Sequence, residues 1–123
     1  MTKRTLTIRL EPDDATALNL LATQFASAWN SKTYQGEFLS YATAEQLFRV
    51  ISPARWGVLQ ALQRETAPIG LRPLARKLQR DPSAVLRDLT LLESEGIIQQ
   101  TESGSWLSPF SEIRTEFSLA HAA

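Results

Sequence analysis

At 123 residues the chain is long enough for one domain with a core and short for two. Its 43% hydrophobic and 21% charged content is ordinary globular composition and excludes disorder of the whole chain. With no cysteine and a single histidine, His121 in the tail, a disulfide framework, a thiolate zinc site, a histidine metal cluster and a conventional hydrolase triad are excluded, and a formal net charge of zero argues against a non-specific nucleic-acid coat protein.

Thr5 to Leu10 alternates, with Leu6, Ile8 and Leu10 on one face and Thr5, Thr7 and Arg9 on the other, which predicts a strand. Pro12-Asp13-Asp14 then opens a helix, with proline and acids where the first turn favours them. Leu18, Leu21, Ala22, Phe25 and Trp29 share one face of it, and Asn30 to Gly36 is a polar break. A second helix starts at Thr43, where Gln46 three positions on completes a capping box. Ser52-Pro53 restarts the chain as N-cap and first helical residue, turning Trp56, Leu59 and Leu62 inward until Ala67-Pro68 ends the helix.

Two short helices follow. Gly70 can cap the first, whose apolar face is Leu71, Leu74, Ala75 and Leu78, and Pro73 is tolerable in its first turn. Asp81-Pro82 caps the second, which buries Val85, Leu89 and Leu92 and stops at Gly96. Beyond Gly96 the period changes to two. Ile97 to Thr101, a Glu102-Ser103-Gly104-Ser105 turn and Trp106-Leu107 read as a hairpin, and Ile113, Thr115, Phe117 and Leu119 alternate with Arg114, Glu116 and Ser118 as a last strand. No stretch reaches the roughly 20 apolar residues of a membrane span, and the basic N-terminus is followed by threonines, not an apolar signal core, so cytoplasmic residence without membrane association is expected.

The element order predicts an α+β, mostly helical protein: a winged helix-turn-helix domain with an N-terminal strand-helix extension and a C-terminal extra strand. The expected division is residues 1–42, serving dimerisation or partner binding, and 43–123, the DNA-binding domain with its last strand. The two outer strands, each with an apolar face, are expected to join one sheet or to pair across a dimer.

Charge is divided along the chain. Arg72, Arg76, Lys77 and Arg80 lie in a ten-residue run without an acid, and Lys3, Arg4 and Arg9 open the chain in the same way. From Asp88 onward the acids Asp88, Glu93, Glu95, Glu102, Glu112 and Glu116 face Arg114 alone. Such a division suits one face on phosphate and another on a different partner. The apolar stripe of the second helix turns Ser83, Ala84 and Arg87 outward, with Leu91 a further candidate for that face. Arg87 has the fork that reads guanine in a major groove, Ser83 reaches phosphate or a base edge, and small side chains at 83 and 84 let the helix approach. Arg76, Lys77 and Arg80 fall where phosphate contacts usually lie. The competing reading is an ordinary helical hairpin in a core, with arginines that serve solubility.

The run from Ser52 to Phe110 resembles winged-helix transcriptional regulators of the MarR/ArsR type, closest to small predicted regulators proposed as antitoxins encoded beside a toxin. The resemblance rests on Leu74-Ala75-Arg76, on Arg80-Asp81-Pro82, on the run VLRDLTLLESEGII from Val85 to Ile98, and on a short hairpin closing at Ser108-Pro109-Phe110. It covers roughly the last 80 residues well and the first 40 loosely. It implies a homodimeric, sequence-specific repressor of double-stranded DNA without a cofactor, a cognate toxin as partner, Ser83 and Arg87 as readers, and Arg76 and Arg80 as backbone contacts. The hairpin tip departs from the pattern. Glu102-Ser103-Gly104-Ser105 has no basic residue for the minor groove, so affinity is expected to rest on the helix and the N-terminal arm.

Three other readings stand beside it. The opening TKRTLTIRLEPDDATALNLL resembles a ribbon-helix-helix protein with Thr5, Thr7 and Arg9 as readers, but the second helix such a protein needs is delayed by more than ten residues. A winged-helix protein-interaction module without DNA binding is the alternative function. An enzyme is not expected, because Ser103-Gly104 is a turn and not a nucleophile elbow, and no paired acids or Gly-rich phosphate loop occur. Trp29 and Trp56 read as core, whereas Trp106 suits either packing of the hairpin onto the helices or a partner.

Overall fold

Four helices and two sheets make up the described part of this α+β protein, a computed structural model that describes residues 3–11 and 36–119. The helix expected from Pro12 to Trp29, and with it Trp29, lies outside the described residues, as does His121. No helix among the described residues is long and apolar enough to cross a membrane.

The chain forms two units, one of Met1–Leu47 with Glu112–Ala123 and the other of Phe48–Ser111. The expected division at residue 42 kept the last strand with the helices. That is corrected by backbone pairing. Strand β1 (Thr5–Leu10) lies between β2 (Glu37–Tyr41) and β5 (Glu112–Glu116), parallel to both. The register sets Ile8 beside Leu39 on one side and Thr115 on the other. The outer strands of the sequence therefore share one sheet. β2 carries no strand signal of its own, since the adjacent Phe38 and Leu39 in EFLSY break the alternation.

In this sheet Leu6 and Ile8 are buried, and so is Thr7 on the opposite face at 8% exposure. A central parallel strand is covered on both sides, so its apolar/polar alternation does not translate into an inside and an outside. The rim is polar and paired. Arg4 donates Nε and Nη2 to the two carboxylate oxygens of Glu37 at 3.0 and 2.7 Å, and the Arg9 guanidinium stands 4.2 Å from the centre of the Phe38 ring.

Helix α1 (Ala44–Val50) carries the boundary between the units. Half of its capping box forms: Thr43 Oγ1 accepts from Gln46 N–H at 3.1 Å, while Gln46 Oε1 accepts from the N–H of Ala42, one residue before the N-cap, at 3.1 Å.

In the second unit, α2 (Pro53–Gln63), α3 (Leu71–Leu78) and α4 (Pro82–Ser94) pack on one another. The strands β3 (Gln99–Gln100) and β4 (Trp106–Leu107) form an antiparallel hairpin, and β4 lies on α2. The core is Val58, Leu59 and Leu62 from α2, Leu74 and Ala75 from α3, and Val85, Leu89 and Leu92 from α4, with Ile97, Ile98, Trp106 and Phe110. Trp106 is thus buried and packs the hairpin back on the helices. Ile69 adds a third rung to the hairpin: its N–H donates to Trp106 O at 2.9 Å, and Trp106 N–H donates to Ile69 O at 2.7 Å.

Trp56 corrects the expectation. It is 36% exposed. At about 100° per residue the buried stripe of α2 centres on the direction of Arg55, and Trp56 stands roughly a third of a turn aside. The inward place in the first turn of α2 belongs to an arginine.

Candidate functional site

The pair α3–α4 is joined by three residues, Gln79, Arg80 and Asp81. Gly70, in an extended conformation, precedes α3, and Pro73 in its first turn removes a donor that has no partner there. At the far end Gln79 N–H donates to Arg76 O at 3.2 Å and Arg80 N–H to Ala75 O at 3.1 Å. These are the two bonds of a Schellman motif, and they require a left-handed residue at Gln79, with φ 54° and ψ 47°. A side chain other than glycine is uncommon there, so the turn carries strain of about 1–2 kcal/mol.

Asp81 then starts α4. Its carboxylate accepts from Ser83 N–H at 3.1 Å and from the Ser83 hydroxyl, and Pro82 fills the first helical position. The Ser83 hydroxyl, the N–H groups of Ala84 and Ser83, and the charge of Arg87 hold the Asp81 carboxyl below the usual carboxylate range. Ser83 is therefore engaged in the cap, with its side chain exposed beside it. α4 ends in a second Schellman motif, Gly96 N–H to Glu93 O at 2.9 Å and Ile97 N–H to Leu92 O at 3.0 Å, around Gly96 at φ 83°.

The sequence-predicted cations separate into two groups. Arg72, Arg76 and Arg87 are exposed. Arg72 and Arg76 rim a shallow open hollow with Ala75, Gln79, Arg80 and Pro82. Ala84 on α4 is partly exposed and small, leaving the start of the helix accessible. Lys77 is exposed but pairs with Glu65. Arg80, grouped with the free cations on sequence, is turned into the fold: its Nη2 donates to Asp88 Oδ2 at 2.8 Å.

Asp88 is the residue that sequence reading missed. It sits mid-helix on α4 at 8% exposure, with each carboxylate oxygen taken by a different arginine. Arg55 Nε, from α2, donates to Oδ1 at 3.1 Å, while Arg80 from the turn holds Oδ2. Arg55 Nη1 also donates to the carbonyls of Arg49 and Val50, the latter at 3.4 Å. One carboxylate thus ties α4 to α2 and to the turn that precedes α4, and Arg55 extends the link to the end of α1. A signal existed. Val85, Asp88, Leu89 and Leu92 follow the i, i+3, i+4, i+7 spacing of a buried face, and an acid inside such a stripe needs a partner.

Chemically the surface offers guanidinium donors on α3 and α4, held by a rigid scaffold and suited to phosphate oxygens or base edges. Among the described residues no group of His, Asp or Glu side chains is placed to hold a metal ion.

Residues 50–115 match the model of the HVO_A0114 family, more than half of the chain. The chain belongs to the HVO_A0114 family. The matched span takes in α2, α3, α4, the hairpin and most of β5, so Arg55, Arg80, Asp88, Arg72, Arg76 and Arg87 all lie inside the family region, whereas β1 and β2 lie outside it. No curated protein and no solved structure matches the chain significantly.

Proposed function

We propose that this HVO_A0114-family protein is a cytoplasmic, sequence-specific repressor that binds double-stranded DNA through a winged helix-turn-helix. The observation that carries the reading is the α3–α4 pair. A three-residue turn joins two helices whose outer faces bear Arg72, Arg76 and Arg87, and a hairpin follows. The bridge between Ile69 and Trp106 supports it, since it ties the segment before α3 to the hairpin and holds the hairpin beside the helix pair.

In this reading α4 enters the major groove with Arg87 toward base edges, while Arg72, Arg76 and Lys77 meet phosphates. Arg80 holds the reading helix through Asp88 and does not itself supply a main phosphate contact. A homodimer matches an operator with two-fold symmetry. The antitoxin form of the reading adds a surface for a cognate toxin, for which the acids after Asp88 are the charge-based candidate. It predicts a stable complex when the protein is co-expressed with the product of a neighbouring gene, and recovery of the protein free of any partner counts against that form.

The test is fluorescence anisotropy against duplex DNA from immediately upstream of the protein's own gene, with salt titrated and a scrambled duplex as control. Tight, salt-sensitive binding that prefers the upstream duplex is expected. Arg87→Ala is expected to weaken it by about 1–3 kcal/mol and relax sequence preference. Arg76→Ala is expected to weaken all duplexes alike and flatten the salt slope.

A protein-interaction module is the second reading. It is favoured by the exposure of Trp56 and Phe48 and by a hairpin tip without a basic residue. Absence of sequence preference together with no effect of Arg87→Ala selects it.

A further inference from the structure

The strand β5 has β1 on one edge and no strand on the other among the described residues. An open strand edge is a template for another strand. Its composition decides which one. Glu112, Arg114 and Glu116 share one face, and Arg114 lies between the two acids at 3.3 and 3.9 Å, with all three side chains more than half exposed. Pairs this exposed contribute little to stability, so these charges are available for exchange with a partner.

Antiparallel pairing of β5 with a second copy of itself, about a two-fold axis normal to the sheet, allows only registers in which opposed residues share a face. Three are near. Centred on Arg114, the pairing opposes Arg114 to Arg114 and Glu112 to Glu116, all like charges. Centred on Ile113, it also opposes Glu112 to Arg114 twice, but it leaves Glu116 opposite Phe110, which is buried in its own helical unit, and sets Ser111 against Thr115, so its apolar face gains only Ile113 against itself. Centred on Thr115, it opposes Arg114 to Glu116 twice and, with the strand continued from Glu116 through Ser118 on pairing, Ile113 to Phe117 twice and Glu112 to Ser118. Opposite charges on one face and apolar pairs on the other are the combination that stabilises antiparallel neighbours. Phe117 is 48% exposed and Ile113 partly so. The opposite edge strand, β2, lacks this property: centred on Leu39 it opposes Glu37 to Tyr41 and brings no ion pair.

We infer that the edge of β5 away from β1 is a homodimer interface, in which two copies join their sheets through an antiparallel β5–β5 pair centred on Thr115, with Arg114 of each copy against Glu116 of the other. The occupant is a second copy of this chain, selected by self-complementary charge. The inference deepens the homodimer of the proposed reading and rests on it, but self-association is measured without DNA, so its failure is distinguishable from a failure of DNA binding.

Charge exchange tests it by sedimentation equilibrium on the full chain. The wild type is expected to dimerise, and Arg114→Glu and Glu116→Arg are each expected to weaken the dimer about tenfold or more, because each turns both cross-strand ion pairs into repulsions. The double variant R114E/E116R restores the opposite pairing and is expected to dimerise like the wild type. Mixing the two single variants is expected to yield a heterodimer, since the two acids at these positions in one copy then face the two arginines in the other. Unchanged circular dichroism separates lost association from lost fold, and a variant that had merely unfolded is not rescued by mixing. Thr115→Cys supplies a second readout. The chain has no native cysteine, and residue 115 opposes itself, so mild oxidation is expected to give one crosslinked dimer, with Ser103→Cys at the hairpin tip giving none. A monomeric wild type overturns the inference. So does a dimer that is indifferent to both charge reversals and is not crosslinked in the Thr115→Cys variant.

Discussion

The parallel sheet and the helical unit solve the same problem from opposite directions. Between Phe48 and Ser111 the elements are consecutive and four of the helix boundaries have a local cause: Ser52-Pro53, Gly70 and Asp81-Pro82 start helices, and Gly96 stops one. The sheet is assembled from three strands distant in the chain, joined by a register that no short window contains. Local signals make the helical unit readable and robust to small changes. The sheet depends on a central strand whose loss removes both pairings.

The largest effect is expected from emptying the two cores in the same chemical way. Leu89→Ala in α4 and Ile8→Ala in β1 each remove a fully buried aliphatic group and should cost about 2–5 kcal/mol. Hydrogen exchange gives the comparison. Leu89→Ala is expected to accelerate exchange in α2 to α4, and Ile8→Ala in β1, β2 and β5. If both variants accelerate every amide equally, the two units open as one.

Next comes the link inside the helical unit. Asp88→Ala leaves Arg55 and Arg80 facing each other without their shared anion and should destabilise by about 2–4 kcal/mol, less than a fully buried pair because both arginines are partly exposed. Urea denaturation measures it. Arg80→Ala, which leaves Arg55 on Asp88, is expected to cost less than half as much. A loss as large as that of Asp88→Ala would mean that Arg55 alone does not hold the carboxylate.

Smaller, and opposite in sign, are the two Schellman ends. Gly96→Ala meets no atom within 4 Å, so its expected cost of about 1 kcal/mol is entirely that of the left-handed backbone at φ 83°. Gln79→Gly relieves the same conformation and should stabilise by about 0.5–1 kcal/mol, the glycine's greater unfolded-state entropy offsetting part of the relief. Thermal melts of the two variants should therefore move in opposite directions.

The smallest effect is the cap at Asp81. Its carboxyl titrates lower in the folded protein than in the unfolded chain, so the stabilisation is present above the usual carboxylate range and lost as pH falls through the folded value. Asp81→Asn keeps a capping oxygen without the charge. The difference in urea midpoint between wild type and Asp81→Asn should shrink as pH is lowered below about 4. A difference constant with pH would remove the charge from the account.

Legibility followed the range of the interaction. The caps at Thr43, Ser52 and Asp81, the stop at Gly96, the hairpin around Gly104 and the apolar stripes of α3 and α4 are all carried by residues within a turn of one another, and the structure has them. The left-handed turn at Gln79 was not legible, because no glycine marks it. The site was legible as a set of cations but not in its roles. Arg72, Arg76 and Arg87 are exposed as expected, while Arg80 is committed to Asp88, a partner eight residues along the chain.

Short-range signals in the amino-acid sequence place the helix starts at Ser52-Pro53 and Asp81-Pro82, the stop at Gly96 and the inward faces of α3 and α4, because capping and amphipathic periodicity act over three or four residues; α2, expected to run to Ala67-Pro68, stops at Gln63 instead, and α3 stops at Gln79 without a glycine. Only the tertiary structure decided that β1, β2 and β5 lie parallel in one sheet, that Arg55 and not Trp56 points inward from α2, and that Asp88 gathers two arginines from other elements. Those outcomes depend on which distant surfaces meet, and a buried charge or a strand partner is selected by the neighbour that packing delivers, not by the residues beside it in the chain.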